Sequence, residues 1–112
     1  MPECIFCRIA RGEVPVEKIY EDDEFVAFWD ANPVAPAHAL VIPREHYETV
    51  ANVKDAGLLG RGLAVANETA RRIHVADAGY RIVINCREDG GQTVYHLHFH
   101  VLGGRFMAWP PG

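Results

Sequence analysis

The chain has 112 residues, 49% of them hydrophobic and 23% charged, with a formal charge of -4. That length suits one ordinary domain, and the composition excludes the polar, highly charged profile of a disordered segment. The acidic balance argues against a domain that binds a nucleic-acid backbone, which presents a basic face, but leaves room for a mononucleotide, whose phosphate needs only a few local donors.

Apolar runs such as residues 39–42 (ALVI) fall far short of the roughly 20 residues of a membrane span. The opening MPECIFCRIARGE lacks the positive start and long apolar stretch of a signal peptide. Three cysteines, an odd number, fit poorly with a disulfide framework. These features imply a cytoplasmic protein with reduced thiols, and the absence of a linker or repeat makes residues 1–112 one domain.

CIFCRIARG reads as a short helix, with Ile5, Phe6 and Ile9 on one face and Gly12 suited to the left-handed residue that ends it. From Lys18 to Asp30, two short strands turn at Asp22-Asp23, with Phe25, Ala27 and Trp29 alternating against Val26 and Phe28. NPVAPAH is a proline-marked loop, and residues 38–43 (HALVIP) form an apolar strand closed by Pro43.

The long helical pattern runs from about Lys54 to His74, with Asn52 as a candidate N-cap and ADAG as the exit. Leu59, Leu63, Ala66, Ala70 and Ile73 lay one apolar stripe along it. Gly60 and Gly62 each weaken that helix by up to ~1 kcal/mol relative to alanine, which points to close packing there, against this chain or a second subunit. His74 reads as a residue of the helix's polar face. YRIVINC, residues 80–86, is a strand; REDGGQ is a turn; the next strand carries YHLHFHVLGG. Strands outnumber helices and are joined mostly by short turns, so the expected fold is α+β with a largely antiparallel sheet.

In a strand, His96, His98 and His100 point one way and Leu97, Phe99 and Val101 the other, with successive imidazoles about 6.5–7 Å apart. The apolar trio can pack on the long helix. Three readings of the histidine face compete: a half-exposed strand whose polar residues happen to be histidine, a metal site, or histidine as nucleophile and proton donor. The preceding DGGQT favours the third, because glycine N–H groups and a hydroxyl make an anion-binding concavity without lysine. The same DGG is also a sound hairpin turn.

HLHFHVL matches the His-φ-His-φ-His-φ-φ signature of the histidine triad (HIT) superfamily. IFCRIARGEVP, YEDDEFVAFWD, APAHALVIPREH, GYRIVIN and GGQTVYHLHFHVLGGRFMAWPPG resemble its Hint branch, the histidine-triad nucleotide-binding proteins. The resemblance spans essentially the whole chain. It implies a five-stranded antiparallel sheet with one long and one short helix, continued across a homodimer, and hydrolysis of purine nucleoside phosphoramidates of the AMP-amine type. Catalysis would need no cofactor.

By the same resemblance, His98 is the nucleophile, His100 assists at the phosphate, and His96 and His38 complete the imidazole network. Asn85, Gly91, Gln92 and Thr93 would surround the phosphate, and Asp30 would hold the ribose hydroxyls. Ile5, Phe6, Val14 and Phe28 would enclose the base; for each of these, ordinary core packing is the alternative. Trp109, in the FMAWPPG tail, would reach the partner's site. Thr93 stands where many relatives have serine, and Trp29 where histidine is common.

Some bacterial HIT proteins are similar in carrying a C-x-x-C pair, and there a histidine after the VIP strand and the first triad histidine complete a structural zinc site. Here those residues are Cys4, Cys7, His46 and His96; the alternative is two buried thiols and a surface histidine. Two other functions stay open: dinucleoside polyphosphate hydrolysis, as in another HIT branch, and a nucleotide-binding or interaction module with vestigial activity.

Overall fold

Apolar residues on both faces of consecutive positions force the middle of the chain into a sandwiched strand. Ala37–Pro43, here β3, is buried at every position, and only a layer on each side can satisfy that pattern. A computed structural model describes residues 3–112. In it β3 pairs antiparallel with β2 (Phe25–Trp29) and β5 (Phe99–Gly103), while β1 (Lys18–Glu21) and β4 (Tyr80–Val83) form the edges, in the order β1-β2-β3-β5-β4. With helices α1 (Ile5–Ala10) and α2 (Ala56–Arg72), this is the α+β architecture expected.

One face of the sheet presents Phe25, Ala27, Ala39, Val41, Phe99 and Val101 to α2. The other presents Val26, Phe28, Leu40 and Ile42 to Phe6 and Ile9 of α1. Gly12, at φ 77°, closes the turn after α1 in the left-handed region that glycine enters freely.

Several local features differ from the sequence reading. The N-cap of α2 is Asp55, whose carboxylate accepts from the Gly57 N–H at 2.9 Å. Asn52 instead lies in a 3-10 turn, where its side-chain oxygen accepts from the Thr49 hydroxyl. The buried stripe of α2 is Leu58, Gly62, Val65, Ala66, Thr69 and Ala70, while Leu63 is 43% exposed. Gly62 is buried because Phe99 fills the space a side chain would need: a Cβ there would lie 2.6 Å from the ring.

The helix ends at Arg72, and His74 is its left-handed closing residue at φ 64°. The N–H groups of His74 and Val75 donate back to the carbonyls of Arg71 and Ala70, a paired closure that satisfies carbonyls the helix leaves open. β4 stops at Val83, short of the expected Cys86. β5 starts only at Phe99, so His96 and His98 precede the strand. The alternation of sides nevertheless extends back through them: Leu97 joins the α2 core, while the rings of His96 and His98 pack against Phe6 at 5.8 and 5.2 Å.

Candidate active site

On the α1 side of the sheet a cleft of about 730 Å³ is lined by Ile5, Phe6, Val14 and Phe28 at one end and by Asp30, His38, Asn85, Thr93, His98 and His100 at the other. The apolar end is built by α1 lying across β2 and β3. Two further walls, Ile9 and Leu40, were not singled out from sequence, although Ile9 shares the α1 face with Ile5. Leu40 pairs directly with both Phe28 and His100 across the sheet, a relationship that only strand register reveals.

The protonation pattern follows from the partners of each ring. The Val34 backbone N–H lies 3.1 Å from His38 Nδ1, so that nitrogen is an acceptor and neutral His38 carries its proton on Nε2. This proton faces His100 Nδ1 at 2.9 Å and Asp30 Oδ2 at 3.3 Å. His100 Nδ1 therefore accepts, and its proton sits on Nε2. His98 is reversed: Nδ1–H donates to the His96 carbonyl at 2.8 Å, leaving Nε2 with a free lone pair. Burial lowers the proton affinity of all four rings. His100 falls to about 4, with the charges of His98 and His38 contributing, and burial likewise takes His96 to about 4. His98 is lowered chiefly by burial, and so is His38 despite the opposing pull of Asp30. Neutral imidazoles at pH 7 agree with the hydrogen-bond pattern.

A cleft whose two central histidines offer one lone pair and one N–H, 4.9 Å between ring centroids, is the feature that comparison with other proteins makes recognisable. A model of the HIT domain matches residues 11–107. The chain belongs to the HIT family.

Its relatives agree in sequence and shape. A HIT family hydrolase of Legionella pneumophila is 46% identical, with 98% of this chain and 100% of that one covered and a TM-score of 0.93. A histidine triad protein of Clostridium difficile is 43% identical over 96% and 97% of the two chains, at 0.90. A histidine triad nucleotide-binding protein of Candida albicans is 31% identical over 96% and 83%, at 0.82. An uncharacterized HIT-like protein of Synechocystis is 46% identical over 98% of this chain and 97% of its own.

Three residues that the sequence suggested as nucleotide ligands stand outside the cleft lining of this HIT domain. Gln92 is buried and spent on backbone: its oxygen accepts from Arg87 N–H, and its amide donates to the Glu48 and Val94 carbonyls at 2.7 and 3.0 Å. It ties down the loop that carries Thr93. Gly91 occupies that loop at φ 75°, beside Asn85, whose amide bonds the Gly90 carbonyl. Trp109 is 79% exposed. Thr93 lines the cleft, and its hydroxyl takes part in no hydrogen bond among the described residues.

His96 turns away from the cleft toward the cysteines. Its Nδ1 lies 3.3 Å from Cys4 Sγ, 3.6 Å from Cys7 Sγ and 3.1 Å from His46 Nδ1, and Cys7 Sγ is 3.3 Å from His46 Nδ1. Metal–ligand lengths of about 2.3 Å for sulfur and 2.0–2.1 Å for nitrogen imply tetrahedral edges of about 3.3–3.8 Å, so the tetrad has the size a zinc ion requires. His96 Nε2–H donates to the Pro43 carbonyl at 2.8 Å, which aims the Nδ1 lone pair at the tetrad's centre. Burial and the neighbouring Cys4 push the Cys7 thiol up to about 11; a cation is what would favour its thiolate.

Proposed function

We propose that this HIT protein is a Hint-type hydrolase that cleaves the P–N bond of purine nucleoside phosphoramidates. The observation that carries the reading is the pair of opposed tautomers: an Nε2 lone pair on His98 beside an Nε2–H on His100. The base would lie between Ile5, Phe6, Val14 and Phe28, the ribose hydroxyls on Asp30, and the phosphate between Asn85, Thr93 and the two histidines. Similarity to a nucleotide-binding HIT protein supports a nucleotide as ligand.

The chemistry follows from the protons. His98 Nε2 bonds to phosphorus, and the P–N electron pair leaves on the amine nitrogen, which takes the Nε2 proton of His100. That donor must be an imidazolium, since a neutral ring would be left as an anion. The bound anionic phosphate raises the proton affinity of the His38–His100 pair, which takes up one proton from solvent across its 2.9 Å contact. His100 returns to its neutral form on donating. Water then attacks phosphorus, returns a proton to His100 Nε2, and the bond to His98 breaks. His38 holds His100 in the donating tautomer, and the His96 carbonyl holds His98 in the attacking one.

Zinc on Cys4, Cys7, His46 and His96 would be structural, with His96 a ligand and no member of the proton relay. A homodimer with the sheet continued across it remains part of the reading, since Phe106 and Trp109 are 88% and 79% exposed and a partner would cover them. In that assembly Trp109 serves the partner's cleft. The deciding test offers wild type and His98→Ala both adenosine phosphoramidate and a diadenosine polyphosphate. Phosphoramidate turnover lost in the variant is the expected result. Turnover insensitive to the substitution refutes the mechanism, and preference for the polyphosphate refutes the substrate.

A further inference from the structure

The cleft continues past the histidines. A second recess of about 580 Å³ shares Val83, Asn85 and Leu102 with the first, and its walls include Arg81 and Arg105 but no Asp or Glu side chain. Sheet register fixes where Arg81 stands. Leu102 pairs with both His38 and Arg81, and His100 pairs with both Leu40 and Val83. Directly opposed residues share a face, so Arg81 rises from the same face as His100. It is displaced by one strand, about 5 Å across the sheet, and by two residues along it, about 7 Å.

Arg81 is half-buried. One of its terminal nitrogens donates to the carbonyls of Met107 and Ala108 at 3.2 and 3.1 Å, and the rest of its fork makes no hydrogen bond among the described residues. Arg105 is exposed and braces the Phe106 and Val34 carbonyls. Neither guanidinium forms an ion pair among the described residues, whereas Arg44, Arg61, Arg71 and Arg72 each hold a carboxylate. In a chain of net charge -4, a half-buried cation left without a carboxylate, in a recess open to the reaction site, is electrostatically suited to an anionic guest.

The direction of the reaction points the same way; this step rests on the hydrolysis proposed above. A nucleophile displaces its leaving group from the opposite side of phosphorus. His98, His100 and Leu102 follow one another along one face, so a group expelled by His98 and passing His100 enters the row of Leu102 and Arg81. We infer that this recess is the leaving-group subsite and that it takes an anionic leaving group. The guest is either an amine that carries a carboxylate, such as an amino acid joined to phosphorus through its nitrogen, or a phosphate. In the amine case the P–N bond alone breaks, the nitrogen takes the His100 proton, and the carboxylate leaves unchanged.

Four probes in two pairs separate these sources: the adenosine phosphoramidates of glycine and of glycinamide, and ADP compared with AMP. Affinities are read by calorimetry on His98→Ala, which cannot turn over, and rates on the wild-type histidine background. The glycine conjugate is expected to bind about tenfold or more tighter than the glycinamide conjugate, the range of a charge-assisted contact. Arg81→Gln should remove most of that ratio, Arg81→Lys should keep part of it, and Arg105→Gln should lower it less. A gain confined to ADP over AMP assigns the subsite to phosphate. Equal affinities, or a ratio untouched by Arg81→Gln, overturn the subsite; with both conjugates still hydrolysed, the hydrolase reading survives that result. A carboxylate preference without any turnover leaves the subsite standing and removes the hydrolase.

Discussion

The backbone carbonyl of His96 accepts the Nδ1 proton of His98 at 2.8 Å. One residue thus sets the tautomer of the other through main chain, while its own ring points into the cysteine cluster. The expected result in solution is a neutral His98 protonated at Nδ1 and a neutral His100 protonated at Nε2 at pH 7. Nitrogen-15 chemical shifts of the imidazoles read this directly. The same tautomer on both rings would contradict the assignment of nucleophile and donor.

Metal removal tests the other end of that link. With zinc on the tetrad, stripping it with a chelator or by Cys4→Ser should lower the melting temperature by roughly 10 °C or more, since a ligand at about 1,000 times its dissociation constant stabilises a fold by about 4 kcal/mol. The His98 signals should broaden or shift as the His96 carbonyl loses its anchor. Metal analysis of the purified protein with calorimetry checks this. A metal-free protein that melts at the same temperature before and after treatment removes the metal from the account.

Much of this was legible in the sequence where one residue type decides one feature. Gly12 ended α1, Asp22-Asp23 turned β1 into β2, and the alternation of Leu97, Phe99 and Val101 with three histidines separated a core side from a chemical side. What escaped depended on partners distant in the chain. Asn52 and Asp55 are both good caps, and only the start of the helix chooses between them. Leu59 and Leu63 fit a helical period as well as Leu58 and Val65 do, but Phe99 needs the gap at Gly62 and so rotates the helix onto the second set. The tautomers are set by Val34 N–H and by the carbonyls of Pro43 and His96, groups that every residue type carries. Gln92 came with the resemblance as a neighbour of the phosphate; that its side chain makes three bonds to backbone follows from the fold of the loop.

Acid should destabilise the fold through His100. Its affinity for a proton falls from the ordinary 6.5 to about 4 on folding, with burial the leading cause. The unfolded chain therefore binds more protons between those values. The sign follows: this contribution is complete above about pH 6.5, declines as pH falls toward 4, and is absent below. Urea midpoints at pH 7.5 and 5 should differ less in His100→Gln than in wild type, by about 1–3 kcal/mol in unfolding free energy. Parallel pH dependences in the two proteins would show that His100 is not held neutral by the fold. The comparison with the variant matters because the paired carboxylates, among them Glu24 and Glu68, are lowered by Arg61 and Arg72 and lose stability in acid as well.

Two glycines of one helical turn should respond oppositely to the same substitution. At Gly60 a Cβ meets nothing within 4 Å among the described residues, so Gly60→Ala removes backbone freedom from the unfolded chain and adds no clash there. A gain of about 0.5–1 kcal/mol is expected. At Gly62 the Cβ would lie 2.6 and 2.9 Å from two atoms of the Phe99 ring and 3.3 Å from Phe25. Both rings are almost fully buried, Phe99 at 0% and Phe25 at 1%, so neither can swing out into solvent. Gly62→Ala must then displace α2 from the sheet, at a cost of about 1–3 kcal/mol that outweighs the gain in helix propensity. Because Phe99 lies between His98 and His100, that displacement should also lower turnover, whereas Gly60→Ala should leave it unchanged. Denaturant titration of both variants beside a turnover assay checks the pair. Stabilisation by Gly62→Ala would mean that α2 does not press on Phe99, and a loss at Gly60→Ala would mean that its open face is covered in solution, as it would be by a second subunit.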